Sequence, residues 1–221
     1  MDRRVLLSAL WSMALAVVSI QANAATEPFP IAQSEIQKLP RKYRRRVVRF
    51  NGGFAPGTIV IDTRQKFLYL VEPGGQAMRY GIGVGRQGFS WSGTAVIRRK
   101  AKWPTWTPPA EMVERDMYAA EWAGGMPGGP RNPLGARALY LYQGQVDTLY
   151  RIHGTFVPSS IGKAVSSGCI RMLNADIVDL YERVQIGTQV VVQQNAARIF
   201  AADEGFLPRE RNRRRFFLFP D

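Results

Sequence analysis

From Thr58 onward β-branched and aromatic residues gather in short runs separated by polar turns. Thr58-Ile59-Val60-Ile61-Asp62 and Lys66-Phe67-Leu68-Tyr69-Leu70-Val71, joined through Thr63-Arg64-Gln65, predict a β-hairpin. A turn at Pro73-Gly74-Gly75 leads to a third strand over Gln76 to Val84, with alternation through Met78, Tyr80, Ile82 and Val84. Thr94 to Arg99 reads as another strand. The stretch from Trp103 to Pro109 holds three prolines and is therefore neither helix nor central strand. Its two tryptophans either line a ligand or pack onto the sheet. Ala110 to Ala120 predicts a short helix after Pro109, and the Gly- and Pro-rich run from Gly124 to Gly135 predicts a long irregular loop walling the site. Ala138 to Tyr142 and Thr148 to Ile152 form a further strand pair around Gln143-Gly144. Helical spacing returns only after Met172, where Asn174 reads as an N-cap and Ile177, Leu180, Tyr181 and Val184 mark one apolar face. Thr188 to Val192 closes as a strand. The pattern predicts one mostly β domain, sandwich-like or a closed sheet, with one principal helix.

The ends differ in character. Met1 to Arg4 is charged, the next sixteen or so residues are apolar, and Ala22-Asn23-Ala24 follows, so residues 1–24 read as a secretory signal peptide. Residues 25–56 read as a basic linker, 57–195 as the folded β domain, and 196–221 as a basic, aromatic tail. The formal net charge is +13, concentrated in Arg41-Lys42-Tyr43-Arg44-Arg45-Arg46 and from Arg209 to Arg215. Such clusters serve as solvated faces or attract polyanions, which for an exported chain means carboxylate-bearing wall polymer or an anionic membrane surface. Export to the periplasm argues against nucleic acid as the partner.

The candidate chemistry lies in one stretch, Tyr150 to Met172, which contains the only histidine, His153, and the only cysteine, Cys169. In an oxidising compartment a cysteine with no intramolecular partner is intermolecular or reactive. A thiol acts as a nucleophile once an imidazole takes its proton or stands beside it as imidazolium. Gly168 and Cys169 supply main-chain N–H groups for a developing oxyanion, Ser166 and Ser167 supply hydrogen-bonding support, and the carbonyl of Gly154 is placed to orient the imidazole. One histidine and one cysteine fall short of a zinc ligand set, so no metal and no cofactor is expected. Gly81-Ile82-Gly83-Val84-Gly85 is followed by no helical pattern and is not a dinucleotide fingerprint.

His153-Gly154-Thr155 with Ser166-Ser167-Gly168-Cys169-Ile170-Arg171-Met172 resembles the signature of the L,D-transpeptidase catalytic domain of the YkuD type, in a serine-variant form. Gly129 to Gly135 and the strands from Thr58 resemble the upstream half of that domain. The commonest form of the motif has histidine at the position of Ser167 and often asparagine at that of Phe156. The resemblance implies Cys169 as nucleophile, His153 as its base, and Arg171 and Thr155 as substrate contacts. It also implies peptidoglycan stem peptides as donor and, as acceptor, an amine of a second stem or of an outer-membrane protein or lipoprotein. Hydrolysis of the same acyl-enzyme, as in an L,D-carboxypeptidase or amidase, and a non-catalytic wall-binding module are the alternatives.

Overall fold

The computed structural model describes residues 27–85, 92–166 and 168–193. The expected signal peptide, the residues beyond 193 and Ser167 lie outside these. In chain order the elements are α1 (Glu35–Lys38), β1 (Arg46–Arg49), β2 (Ile59–Asp62), β3 (Phe67–Glu72), β4 (Gln76–Gly81), β5 (Val84–Gly85), β6 (Gly93–Lys102), α2 (Ala110–Val113) and α3 (Met117–Glu121). They continue with β7 (Arg137–Gln143), β8 (Val146–His153), β9 (Ala164–Ser166), β10 (Ile170–Arg171), α4 (Asn174–Arg183) and β11 (Gln189–Gln193). The strands predicted from alternation are all present. The predicted helix after Pro109 is two short ones, because the Asp116 carboxylate accepts from the N–H groups of Tyr118 and Ala119 and caps a second start.

Nine strands form one sheet in the order β1-β4-β3-β2-β11-β6-β7-β8-β10, with β5 and β9 paired separately. Pairing is antiparallel except for β2 with β11, β8 with β10 and β5 with β9. The inner face and α4 enclose one core, built from Ile59, Ile61, Leu68, Leu139, Leu141, Ile152, Ile170, Ile177 and Leu180 among others. Burial of these side chains supplies the main driving force at about 25 cal/mol per Å². The helix stops after Arg183, where the Lys100 ammonium donates to the carbonyls of Tyr181 (2.7 Å) and Val184 (2.6 Å). A cation there satisfies exposed carbonyls and suits the helix dipole.

The segment read as a linker is part of the domain, which corrects that expectation for its described residues. β1 pairs with β4 from Arg46↔Arg79 to Arg49↔Gln76. Phe50, with Tyr43, Val48 and Phe54, covers the outer face of β2 to β4, where Val60, Phe67, Tyr69, Val71 and Ala77 are buried. Leu39 packs with Ile161 and Leu173. Polar, Pro-bounded spacing hid these anchors, because each apolar residue acts singly rather than on a periodic face. Part of the basic cluster also turns inward. Arg44 Nε donates to the Leu39 carbonyl, and Arg45 donates to the Ala175 carbonyl and lies 3.5 Å from Asp176. Farther upstream, Glu27 forms an ion pair with Arg137, which is 1% exposed, and accepts from Trp103 Nε1 at 2.7 Å. That settles one tryptophan as packed onto the domain, with Phe29 against its edge.

Asp176 is fully buried in the first turn of α4, and neither carboxylate oxygen has a hydrogen-bond partner among the described residues. Burial is the largest influence and raises its carboxyl from 3.8 to about 6, opposed by the nearby Arg45. A group whose folded pKa is raised favours the fold while protonated, so stability falls as pH climbs from 3.8 through about 6. Asp176→Asn is expected to match wild type in urea melts near pH 4 and to exceed it near pH 7.5 by about 1–3 kcal/mol. Equal midpoints at both values would remove the assigned cost.

Candidate active site

The site is assembled by β7, β8 and β10 on the outer face of the sheet. Registers Leu139↔Ile152 and Ile170↔Ile152 put three apolar residues on the core side. Side chains alternate across a strand, so the next positions face outward: Ala138 and Tyr140 on β7, Arg151 and His153 on β8, Arg171 on β10. Cys169 directly precedes β10. Continuing the parallel register backward places it alongside Arg151, on the face that carries His153 two residues farther along. A main-chain hydrogen bond from Arg151 reaches the Cys169 side chain. The structure therefore brings the two chemically distinctive residues to one place.

Each is held by a specific contact. His153 is 4% exposed, and its Nδ1 lies 2.6 Å from the Gly154 carbonyl oxygen. A carbonyl only accepts, so Nδ1 carries the proton and Nε2 is left as the acceptor. Gly154 cannot bear a side chain, since a Cβ would collide with Asn174 Oδ1 and lie 3.0 Å from the Ala136 nitrogen. Asn174 staples the region: its Oδ1 accepts from Ala136 N–H at 2.9 Å and its Nδ2 donates to the Thr155 carbonyl at 3.1 Å. It is the first residue of α4 and makes no capping bond, contrary to the N-cap expected. Met172 N–H donates to the His153 carbonyl, and Gly83 exchanges main-chain hydrogen bonds with Arg171, fixing β10 on both sides.

Burial dominates the electrostatics. Desolvation lowers the His153 pKa from 6.5 to about 4, with Arg171 and Arg151 pushing the same way against the Gly154 hydrogen bond. Desolvation also raises the Cys169 thiol above its ordinary value, against the Arg151 main-chain hydrogen bond and the charges of Arg151 and Arg171. The sulfur-bearing residue is nonetheless partly exposed. Both directions favour a thiol and a neutral imidazole over a thiolate and imidazolium.

The remaining expected residues divide. Arg171 is half-buried on the same face as His153, paired with it in register. Thr155 is 2% exposed, and its Oγ1 accepts from Val157 N–H at 3.0 Å, a turn contact. Ser166 is buried. Its Oγ donates to the Cys169 carbonyl at 2.7 Å and lies 3.4 Å from the Gly168 nitrogen, so it shapes the turn rather than facing the sulfur. Gly168 adopts φ +128°, a region that disfavours any side chain, and faces Gly85 at close range. Upstream, the loop expected as a wall is organised by Asn132, fully buried, whose Nδ2 meets the carbonyls of Pro104, Met126 and Pro127 at 3.0–3.1 Å. The second loop tryptophan, Trp106, packs there with Met126 and Ala119. The staple made by Asn174 carries no local sequence signal, because its partners Ala136 and Thr155 lie 38 and 19 positions away.

Among the described residues no group of three or more His, Cys, Asp or Glu is placed to hold a metal ion. No helix of the described residues is long and apolar enough to cross a membrane.

Two outcomes follow from this geometry. With His153 neutral above about pH 5, the alkylation rate of Cys169 should climb steadily through neutral pH towards the raised thiol pKa. A flat rate between about pH 5 and 7 would instead reveal a preformed ion pair. Asn174→Ala unpairs one N–H and one carbonyl and should cost about 2 kcal/mol in denaturant melts. An unchanged midpoint would show that the staple is dispensable.

Comparison with known proteins identifies the family. The model of the L,D-transpeptidase catalytic domain (YkuD) matches residues 56–192. The probable L,D-transpeptidase YbiS of Escherichia coli K12 is 39% identical over 138 residues, covering 60% of this chain and 43% of that protein. The probable L,D-transpeptidase ErfK/SrfK of the same organism is 36% identical over 140 residues, covering 61% and 43%. The chain thus spans less than half the length of these curated relatives. A crystal structure from Brucella melitensis, described as a probable carnitine operon oxidoreductase caia, is 52% identical and spans 72% of this chain and 98% of that one, with a TM-score of 0.49. The redox activity in that description is that protein's own. By the extent of the matched domain, this chain belongs to the L,D-transpeptidase catalytic domain (YkuD) family.

Proposed function

We propose that this chain is an exported L,D-transpeptidase of the periplasm that acts on peptidoglycan tetrapeptide stems through a Cys169 thioester. The observation that carries the reading is the β8–β10 register, which sets Cys169 beside His153 on an outward face while the Gly154 carbonyl occupies Nδ1. Nε2 takes the thiol proton as sulfur attacks the carbonyl of the third stem residue. The oxyanion gathers charge near Arg171 and the Cys169 N–H, with Gly168 engaged by Ser166. Collapse breaks the amide bond, and the terminal D-alanine leaves with the proton from the imidazolium.

The low His153 pKa suits this step. An imidazolium whose pKa is about 4 gives up its proton readily, and an amine departs only once protonated. An acceptor amine then attacks the thioester, returns a proton to Nε2, and restores the thiol. The acceptor is the diaminopimelate amine of a second stem, giving a 3–3 cross-link, or an amine of an outer-membrane protein or lipoprotein. Arg171 is assigned to a substrate carboxylate, which its planar charge suits. The exposed Arg41, Lys42, Arg46 and Arg49 support a peripheral contact with wall polymer or an anionic membrane surface.

Incubating the chain from residue 25 onward with defined tetrapeptide muropeptides, and separating products by mass, tests the assignment. The expected products are cross-linked dimers and free D-alanine, absent with Cys169→Ala and slowed about a hundredfold or more with His153→Ala. Tripeptide alone would replace the transferase with a hydrolase. Tight binding to sacculi with no turnover would leave a wall-binding module.

A further inference from the structure

Three strands carry a row of interacting side chains, Arg99, Tyr140 and Arg151, on the face of the sheet that also carries Cys169. Register aligns Arg99 on β6 with Tyr140 on β7 and Tyr140 with Arg151 on β8, and Cys169 is the next position across. The Arg99 and Arg151 guanidiniums lie 4.3 and 4.5 Å from the Tyr140 ring centroid. Arg151 is also gripped in its own strand. Its Nη1 and Nη2 meet the two Asp147 oxygens at 2.7 and 2.8 Å, and Nη1 donates to the Tyr150 carbonyl at 3.0 Å. The side chain is 14% exposed. A bidentate pair over an aromatic face immobilises a charge in a way that a surface arginine does not.

We propose that Arg151 is a positioning residue for Cys169: its clamped guanidinium is the fixed positive charge beside which the thiolate forms, and Asp147 sets how much of that charge the sulfur feels. The inference rests on Cys169 being the nucleophile. Facing Cys169 are Arg151 and His153 on β8 and Arg171 on its own strand, with Asp147, Tyr140 and Arg99 beyond Arg151. The same guanidinium disfavours a second positive charge on His153, so Arg151 steers the pair towards a thiolate and away from an imidazolium in the free site. It is a charge built into the scaffold, so no rearrangement is needed when the thiol ionises. Neither the His-Gly-Thr nor the Gly-Cys-Ile-Arg segment contains this residue.

A purely structural clamp predicts something different from an electrostatic one. Removing either half of a structural clamp loosens the strand and perturbs the sulfur in the same direction. In the electrostatic reading the two halves have opposite signs. The test is the pH profile of Cys169 alkylation by iodoacetamide, followed by intact mass from about pH 6 to 11, on the chain from residue 25 onward. Arg151→Met should raise the midpoint by about half to one unit and slow alkylation near neutral pH about three- to tenfold. Arg151→Lys should recover part of that loss, and Asp147→Asn should move the midpoint down. A profile of folded Arg151→Met that superimposes on wild type overturns the proposal. So does an Asp147→Asn shift in the upward direction, which needs no Arg151→Met protein to be read. Alkylation reports on the sulfur alone, so these shifts stand or fall independently of turnover on muropeptides.

Discussion

The arrangement depends on a two-residue strand being held in a single register. β10 pairs with β8 through Ile170↔Ile152 and Arg171↔His153 and is tied on its other side to Gly83. Because side chains alternate, that register sends Ile152 and Ile170 into the core and the cysteine, the histidine and the arginines outward. A slip of one residue would drive Arg171 into apolar packing and Ile170 into the site. The hydrophobic core thus specifies the chemistry indirectly. Buried isoleucines on one side of the pair are what keep sulfur and imidazole on the other.

Burial and charge act in opposition at the site. Dehydration alone would leave Cys169 a poor acid and His153 a poor base, and both are shifted in that sense. Arg151 and Arg171 favour the thiolate while disfavouring the imidazolium. The consequence is a pair that rests neutral, with proton transfer coupled to attack on a bound carbonyl. A resting neutral thiol also reacts less readily with adventitious electrophiles than a standing thiolate.

Much of this was legible in the sequence, and what was not has a common cause. Strands β2, β3, β7, β8 and β11 announced themselves by β-branched and aromatic runs between turns, and α4 by helical spacing. His153 and Cys169 stood out through their uniqueness and their glycine-flanked setting. The orienting role of the Gly154 carbonyl was expected, and its oxygen does lie 2.6 Å from Nδ1. Misread residues are those whose partners lie far off in sequence. Asn174 resembled a cap because asparagine before a helix usually is one, yet its amide spans to Ala136 and Thr155. Phe50 and Leu39 gave no periodic signal and were assigned to a linker.

The ion pair between Glu27 and Arg137 bears on where this domain begins. The family match starts at residue 56, but an arginine 1% exposed within β7 takes its carboxylate from a residue 29 positions upstream of that boundary. A guanidinium left in the interior without its counterion is strongly unfavourable. A recombinant fragment cut at the matched boundary would therefore carry an uncompensated charge beneath α4 and lose the indole anchor of Trp103. The folding unit is longer than the matched domain.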